Sequence, residues 1–209
     1  MSRTEGSAGD EGEVAIFVVK KDAPGIELAA LKPMAGDKQF QVDFQDVPVS
    51  PEDRLGAGEG GLELVLSILG KATAIQCAEM VGGAQYELEI TAEYCRTRVQ
   101  FDRPIGTFQA VQHRLADMYM DVLGARLTTY QALWRLSEGM PAAREVAIAK
   151  AFTSKAVRRV AFSAQQLHAG MGYDLDHELH YYYRRAKALE LKMGTVPVQL
   201  RALHPVLGT

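Results

Sequence analysis

The spacing of apolar residues in this chain changes once, across the glycine run Gly56-Ala57-Gly58-Glu59-Gly60-Gly61, and that change limits what it can fold into. Before the run the pattern belongs to strands. Val14 to Val19 is a short, wholly apolar stretch, as expected of a buried strand. Ala23-Pro24-Gly25 is a turn signal, Ile26 to Leu31 reads as a second strand, and Phe40 to Phe44 alternates apolar and polar residues at period two. Three strands with open edges make a poor independent sheet. Residues 14–55 are therefore expected to be part of an antiparallel β domain whose other strands lie elsewhere, preceded by a disordered lead-in over residues 1–13 and followed by a glycine hinge over 56–61.

After the hinge the period becomes 3.6. Leu62, Val65, Leu66 and Leu69 open a helix predicted to run to about Gln100, with an irregularity at Gly82-Gly83. Pro104 lies in the break that follows. Val111, Leu115, Met118, Val122 and Ala125 then step by four, three, four and three along one face of a second helix reaching to Leu136. Gly139-Met140-Pro141 stops it and starts a third, which keeps Val146, Ala149, Phe152, Ala156, Val160, Ser163 and Leu167 on one side until Ala169-Gly170-Met171-Gly172. A fourth helix is predicted over Asp176 to Leu191, and a short fifth after Gly194. Long helices joined by short loops specify an up-down bundle over residues 62–209. The fold class expected is mainly α, a long-helix bundle preceded by a partial β domain.

The totals exclude several classes of function. A formal net charge of -3 gives no reason to expect nucleic acid or an anionic membrane as partner. No run of about 18 uninterrupted apolar residues suggests a membrane span, and residues 1–13 carry no apolar signal core. Cys77 and Cys95 are too few for a disulfide framework and suit a reducing cytoplasm, where both read as buried small hydrophobes. His177-Glu178-Leu179-His180 lacks the spacing of a zinc motif and has no second ligand cluster, so no metal is expected.

The segment Arg98 to Gln109 carries more information. A basic residue ends one helix, a Pro-Ile-Gly turn follows, and Phe108-Gln109 opens the next helix, whose free N–H groups and positive dipole end suit an anion. Arg98 would supply a planar fork for phosphate.

The run Tyr94 to Gln109 resembles the R-x-x-F-G, P-I and F-Q stretch of the acyl-CoA dehydrogenase C-terminal domain. Gln166-Leu167-His168-Ala169-Gly170-Met171-Gly172-Tyr173 resembles that family's Q-x-x-G-G-x-G-Y corner, Arg184-Arg185-Ala186-Lys187 its R-D-A-K, and Gly194-Thr195 its final E-G-T. Val14 to Gly56 looks like the last strands of its middle β domain. The resemblance implies an oxidoreductase that uses FAD to oxidise an acyl-CoA thioester between its α and β carbons, assembled from several bundles as a homo-oligomer or with a full-length partner. Arg98, Phe101, Gln109, Gln166, Gly170 and Thr195 carry over as FAD contacts across a subunit interface.

Departures from the pattern matter equally. Asp102 replaces a glycine beside the expected diphosphate, Ala169 replaces the first glycine of its corner, and Pro197 replaces a glutamine. Met193 occupies the position of the catalytic glutamate, and the alternative position on the first bundle helix falls near Thr73, between Ala72 and Ala74. Glu63 and Glu79 lie on that helix but away from it. A thioether takes no proton, so no catalytic residue is assigned, and the chain alone is expected to be inactive. The stretch Tyr173 to Arg185 is similar to family members from mixed assemblies in which one subunit type has lost its active site. The expected role is a partner that completes a neighbour's FAD site; the alternatives are a flavin-free oligomerisation module and a fragment of an ordinary dehydrogenase.

Overall fold

The computed structural model describes residues 2–3, 14–56 and 61–207. It divides into two compact units, Met1–Leu69 and Gly70–Thr209. Most of the expected lead-in, and residues 57–60 of the expected hinge, lie outside the described residues.

In the first unit, β1 (Ser2–Arg3), β2 (Val14–Phe17) and β5 (Arg54–Leu55) form a small antiparallel sheet in the order β1-β2-β5. A separate ribbon pairs β3 (Ile26–Leu31) with β4 (Gln39–Phe44). Its register places Ile26, Leu28 and Ala30 opposite Phe44, Val42 and Phe40, so every apolar pair falls on one face and Glu27, Asp43, Ala29 and Gln41 on the other. That face is open: Leu28, Val42, Phe40 and Phe44 are all exposed. Gly25 is required at the ribbon's base, because its φ is +83° and an added Cβ would lie 2.0 Å from the carbonyl oxygen of Gln45.

The bundle has five helices: α1 (Gly61–Thr97), α2 (Gln109–Ser137), α3 (Ala143–His168), α4 (Leu179–Leu191) and α5 (Val196–Leu207). Helix α1 passes through Gly82-Gly83 without a break, in place of the expected irregularity, and stops three residues before Gln100 at Thr97. Helix α4 starts at Leu179, later than Asp176, because Asp174 accepts the backbone N–H of Asp176 and His177 Nδ1 accepts that of Leu179, which holds the approach as a turn.

Helix α3 packs against α2, α4 and α5. The main core joins Met80, Ala84 and Leu88 of α1 to Met118 and Val122 of α2, Val157 and Val160 of α3, and Leu179 and Leu189 of α4. A second cluster joins Ala74 and Cys77 to Ala132, Val146 and Ala149. Alanines at these crossings allow close helix approach, and the larger aliphatic side chains each contribute about 1.5–3 kcal/mol on burial. Part of α1 reaches a mean hydropathy of 1.4 over 18 residues, which by length and composition alone admits a membrane span. Ala74, Cys77, Met80 and Val81 on that helix are buried against the bundle.

Helix α2 is apolar on two sides. Met118, Val122, Ala125, Thr129 and Ala132 face the core. On the opposite side Met120, Leu123, Leu127, Tyr130 and Trp134 step by three, four, three and four, the spacing of a coiled-coil seam, and are 38–61% exposed.

Three titratable side chains lie inside the bundle: Glu87, Lys150 and His168, each 0–2% exposed. Burial pushes the Glu87 carboxyl up to about 8, and its Oε1 has no hydrogen-bond partner. The folded chain thus keeps a proton that the unfolded chain releases above pH 4.5. Stability is highest below that pH and falls by up to about 1.4 kcal/mol per pH unit as the pH rises toward 8. Glu87→Gln is expected to remove this slope and raise the midpoint of urea unfolding at pH 7.5; chemical denaturation across pH 4–8 checks it.

Candidate functional site

The corner after α1 is built by a two-residue hairpin. The Arg98 N–H donates to the Tyr94 carbonyl at 2.8 Å, continuing the helix by one bond, and the Arg98 carbonyl accepts from Ile105 N–H at 2.9 Å. Between them β6 (Val99–Gln100) pairs with β7 (Arg103–Pro104). Phe101 and Asp102 form the turn with φ of 54° and 61°, both in the left-handed region, as a primed hairpin turn demands. Asp102 therefore keeps the backbone conformation that glycine favours at this place. Gly106 is required for a different reason: an added Cβ would lie 2.9 Å from the Cys95 carbonyl oxygen.

This hairpin displays its side chains. Arg98, Phe101, Asp102, Arg103 and Gln109 are exposed, Phe101 at 86%. The Arg103 guanidinium lies 4.2 Å over the Phe108 ring, and Phe101 meets the same ring edge-on at 6.1 Å. Phe108 occupies the N-cap of α2 and provides no side-chain acceptor, so the first N–H groups of α2 stay open to a ligand. An open helix end, an exposed guanidinium and an exposed aromatic ring suit a diphosphate with an attached nucleoside. The Asp102 carboxylate opposes such an anion.

The second corner follows α3. Ala169 has φ 53° and ψ -131°, a combination open to glycine and strained for alanine. Gly172 packs so closely that an added Cβ would meet the Gln165 side chain at 2.6 Å. His168 stacks on Tyr94 with ring centroids 4.3 Å apart, and His177 meets it edge-on at 4.9 Å. Burial and the neighbouring His177 depress the His168 imidazole to about 4, so the ring stays neutral. Because Tyr94 is four residues before Arg98 and His168 two after Gln166, this stack brings both corners to one end of the bundle. Gln166 and Gly170 are exposed there.

Thr195 is elsewhere. Gln76 of α1 donates to the Leu189 carbonyl at 2.9 Å, which places the end of α4 beside Gln76. From Gln76 to Arg98 α1 rises about 33 Å, farther than one extended dinucleotide reaches. Five of the six residues expected to contact FAD share an end, while Thr195 and Met193 sit near the other. They cannot serve a single cofactor within one chain.

Met193 has φ 55° and is 43% exposed, between α4 and α5. The buried Thr73 offers no carboxylate, Glu79 is ion-paired with Arg185 at 2.6 Å, and Glu63 is in the first turn of α1. His180 Nε2 pairs with the Leu175 carbonyl, and among the described residues no three His, Cys, Asp or Glu side chains converge as a metal site. Sequence reasoning passed over Glu87, Lys150 and His168; their signal was a charged or titratable residue falling on an inward helical position.

Strain at Ala169 costs about 1–3 kcal/mol, partly offset by the extra unfolded-state entropy of glycine. Ala169→Gly is expected to stabilise the chain by about 1 kcal/mol, read as a higher melting temperature in calorimetry. An unchanged or lower value contradicts the strain.

Residues 59–207 match the acyl-CoA dehydrogenase C-terminal domain family. Acyl-CoA dehydrogenase FadE27 of Mycobacterium tuberculosis is 38% identical over 197 residues, covering 90% of this chain and 52% of that protein. Among solved structures, the ChsE4-ChsE5 complex from Mycobacterium tuberculosis superposes with a TM-score of 0.87 at 38% identity, covering 93% of this chain and 52% of that one. Butyryl-CoA dehydrogenase from Megasphaera elsdenii superposes with a TM-score of 0.93 at 30% identity, covering 100% and 55%. The chain thus spans about half the length of the relatives it matches. On the family match and this fold, the chain belongs to the acyl-CoA dehydrogenase family.

Proposed function

We propose that this chain is a partner subunit that completes the FAD site of a neighbouring acyl-CoA dehydrogenase subunit and does not itself abstract the substrate's α proton. The observation that carries the reading is the separation of the two motif clusters. The end holding Arg98, Phe101, Gln109, Gln166 and Gly170 presents open donors and a cation, whereas the end holding Met193 has no proton acceptor. The first end suits the diphosphate and adenosine of a cofactor whose flavin lies on another subunit. Arg98 would pair with the diphosphate, the N–H groups opening α2 would donate to it, and Phe101 would cover the nucleoside.

In such an assembly bound FAD accepts the hydride that leaves the β carbon of an acyl-CoA thioester. This chain's own contribution is to bind and orient. The Met193 thioether leaves proton abstraction to a carboxylate elsewhere. The exposed α2 seam Met120-Leu123-Leu127-Tyr130-Trp134 supports a helical partner, since an aliphatic and aromatic stripe at coiled-coil spacing gains by packing against another helix. One neighbour in fold is titled as a complex of ChsE4 with ChsE5. Cys77 and Cys95, both buried free thiols raised to about 11, fit a reducing cytoplasm, where we place the chain. Asp102, beside the expected phosphates, favours the second reading, a flavin-free oligomerisation module.

Two substitutions separate the readings. Mixed with a full-length family member, the chain is expected to raise flavin retention and acyl-CoA-dependent acceptor reduction. Arg98→Ala is expected to preserve the complex but weaken FAD retention at least about ten-fold, the loss of one charge-assisted contact. Leu127→Arg is expected to abolish the complex while shifting the isolated chain's stability by less than about 0.5 kcal/mol. Complex formation with no flavin effect from Arg98→Ala would establish the module and end the flavin reading.

A further inference from the structure

Lys150 is buried in α3 with 0% of its surface exposed, and it has no carboxylate as its principal partner. A buried cation needs compensation. Here its Nζ donates to the Leu189 carbonyl at 2.5 Å and reaches the Glu190 carbonyl at 3.5 Å, with Met80 Sδ at 3.9 Å. Leu189 and Glu190 lie in the last turn of α4, where carbonyls lack helical donors and carry the negative end of the helix dipole. From α1, Gln76 Nε2 donates to the same Leu189 carbonyl at 2.9 Å. Two other helices thus grip the end of α4 through one acceptor.

The chain then turns sharply. Met193 and Gly194 have φ of 55° and 89°, and the Thr195 carbonyl accepts the N–H groups of Val198 and Gln199 as α5 begins. Gln199 Nε2 donates back to the Met193 carbonyl at 2.8 Å. The corner is fixed from α5 on one side and from α4 on the other, and α4 itself is fixed by Lys150 and Gln76. Burial lowers the Lys150 pKa, while Cys77 and Glu190 oppose that shift.

We propose that Lys150 and Gln76 are positioning residues that clamp the last turn of α4 and thereby set the geometry of the Met193–Thr195 corner. That this corner borders an acyl-CoA dehydrogenase site rests on the functional reading above; the clamp does not.

The test uses the full chain with a thiol reporter. Cys77 and Cys95 are buried, so in Met193→Cys a thiol reagent reports on the corner, and in Gln166→Cys it reports on the opposite end. Adding Lys150→Met is expected to speed labelling at 193 at least about ten-fold, and to leave labelling at 166 unchanged, because the lost charge-assisted bond acts locally. Gln76→Leu is milder and keeps the test available if Lys150→Met fails to fold. It is expected to speed labelling at 193 by a smaller factor, and the double variant to fall short of the product, because both donors share Leu189. No change at 193, or equal acceleration at both reporters, overturns the clamp. Flavin retention by the unsubstituted chain with its partner is read separately: a clamp confirmed without any flavin effect leaves this inference standing and removes the functional reading.

Discussion

More apolar helix surface is present here than the described chain covers, and the rest of the account depends on that excess. The inner side of α2 meets the core through Met118, Val122, Ala125 and Ala132, while the outer side repeats the same spacing with Met120, Leu123, Leu127, Tyr130 and Trp134 and meets nothing. The β3–β4 ribbon repeats the situation in strand form, with its apolar pairs on one open face. Large contiguous apolar surfaces of this kind mark interaction sites. The ribbon and the seam belong to different units of the chain, and each calls for protein that these residues do not provide.

Within the bundle, interior polar groups determine the geometry of the helix ends. Lys150 and Gln76 hold the end of α4; His168, kept neutral by burial, stacks on Tyr94 and ties the end of α3 to that of α1. Glu87 lacks such compensation at Oε1 and stays protonated. The two tied ends are those that carry the family motifs. Their separation along α1 turns a set of residues that reads as one site into parts of two, so that a complete site needs more than one chain.

Much of this was legible in the residues. The switch from period two to 3.6, the prolines and glycines between helices, and the order of four motifs give the bundle and its family before any coordinates. The helix ends were less legible because short polar side chains decide them: Asp174 and His177 delay α4 by three residues. Backbone strain was visible only as a mismatch of residue type, Asp102 and Ala169 standing where glycine is usual, and the positive φ at both shows that conformation was kept while the residue changed. Lys150, Glu87 and His168 escaped a reading based on apolar spacing, because such a reading assigns charged residues to the surface. Nor could spacing place Thr195 far from Arg98, which depends on how α4 returns along α1.

The central claim is that the corner from Arg98 to Gln109 holds the phosphate and adenosine end of a cofactor shared with another subunit. Photolabelling of the assembled complex with an FAD analogue bearing an azide on adenine, followed by peptide mapping, tests it most directly. Label on the 98–109 or 166–170 peptides of this chain is the predicted result; label confined to the partner, or to the 193–199 peptide, would contradict the claim.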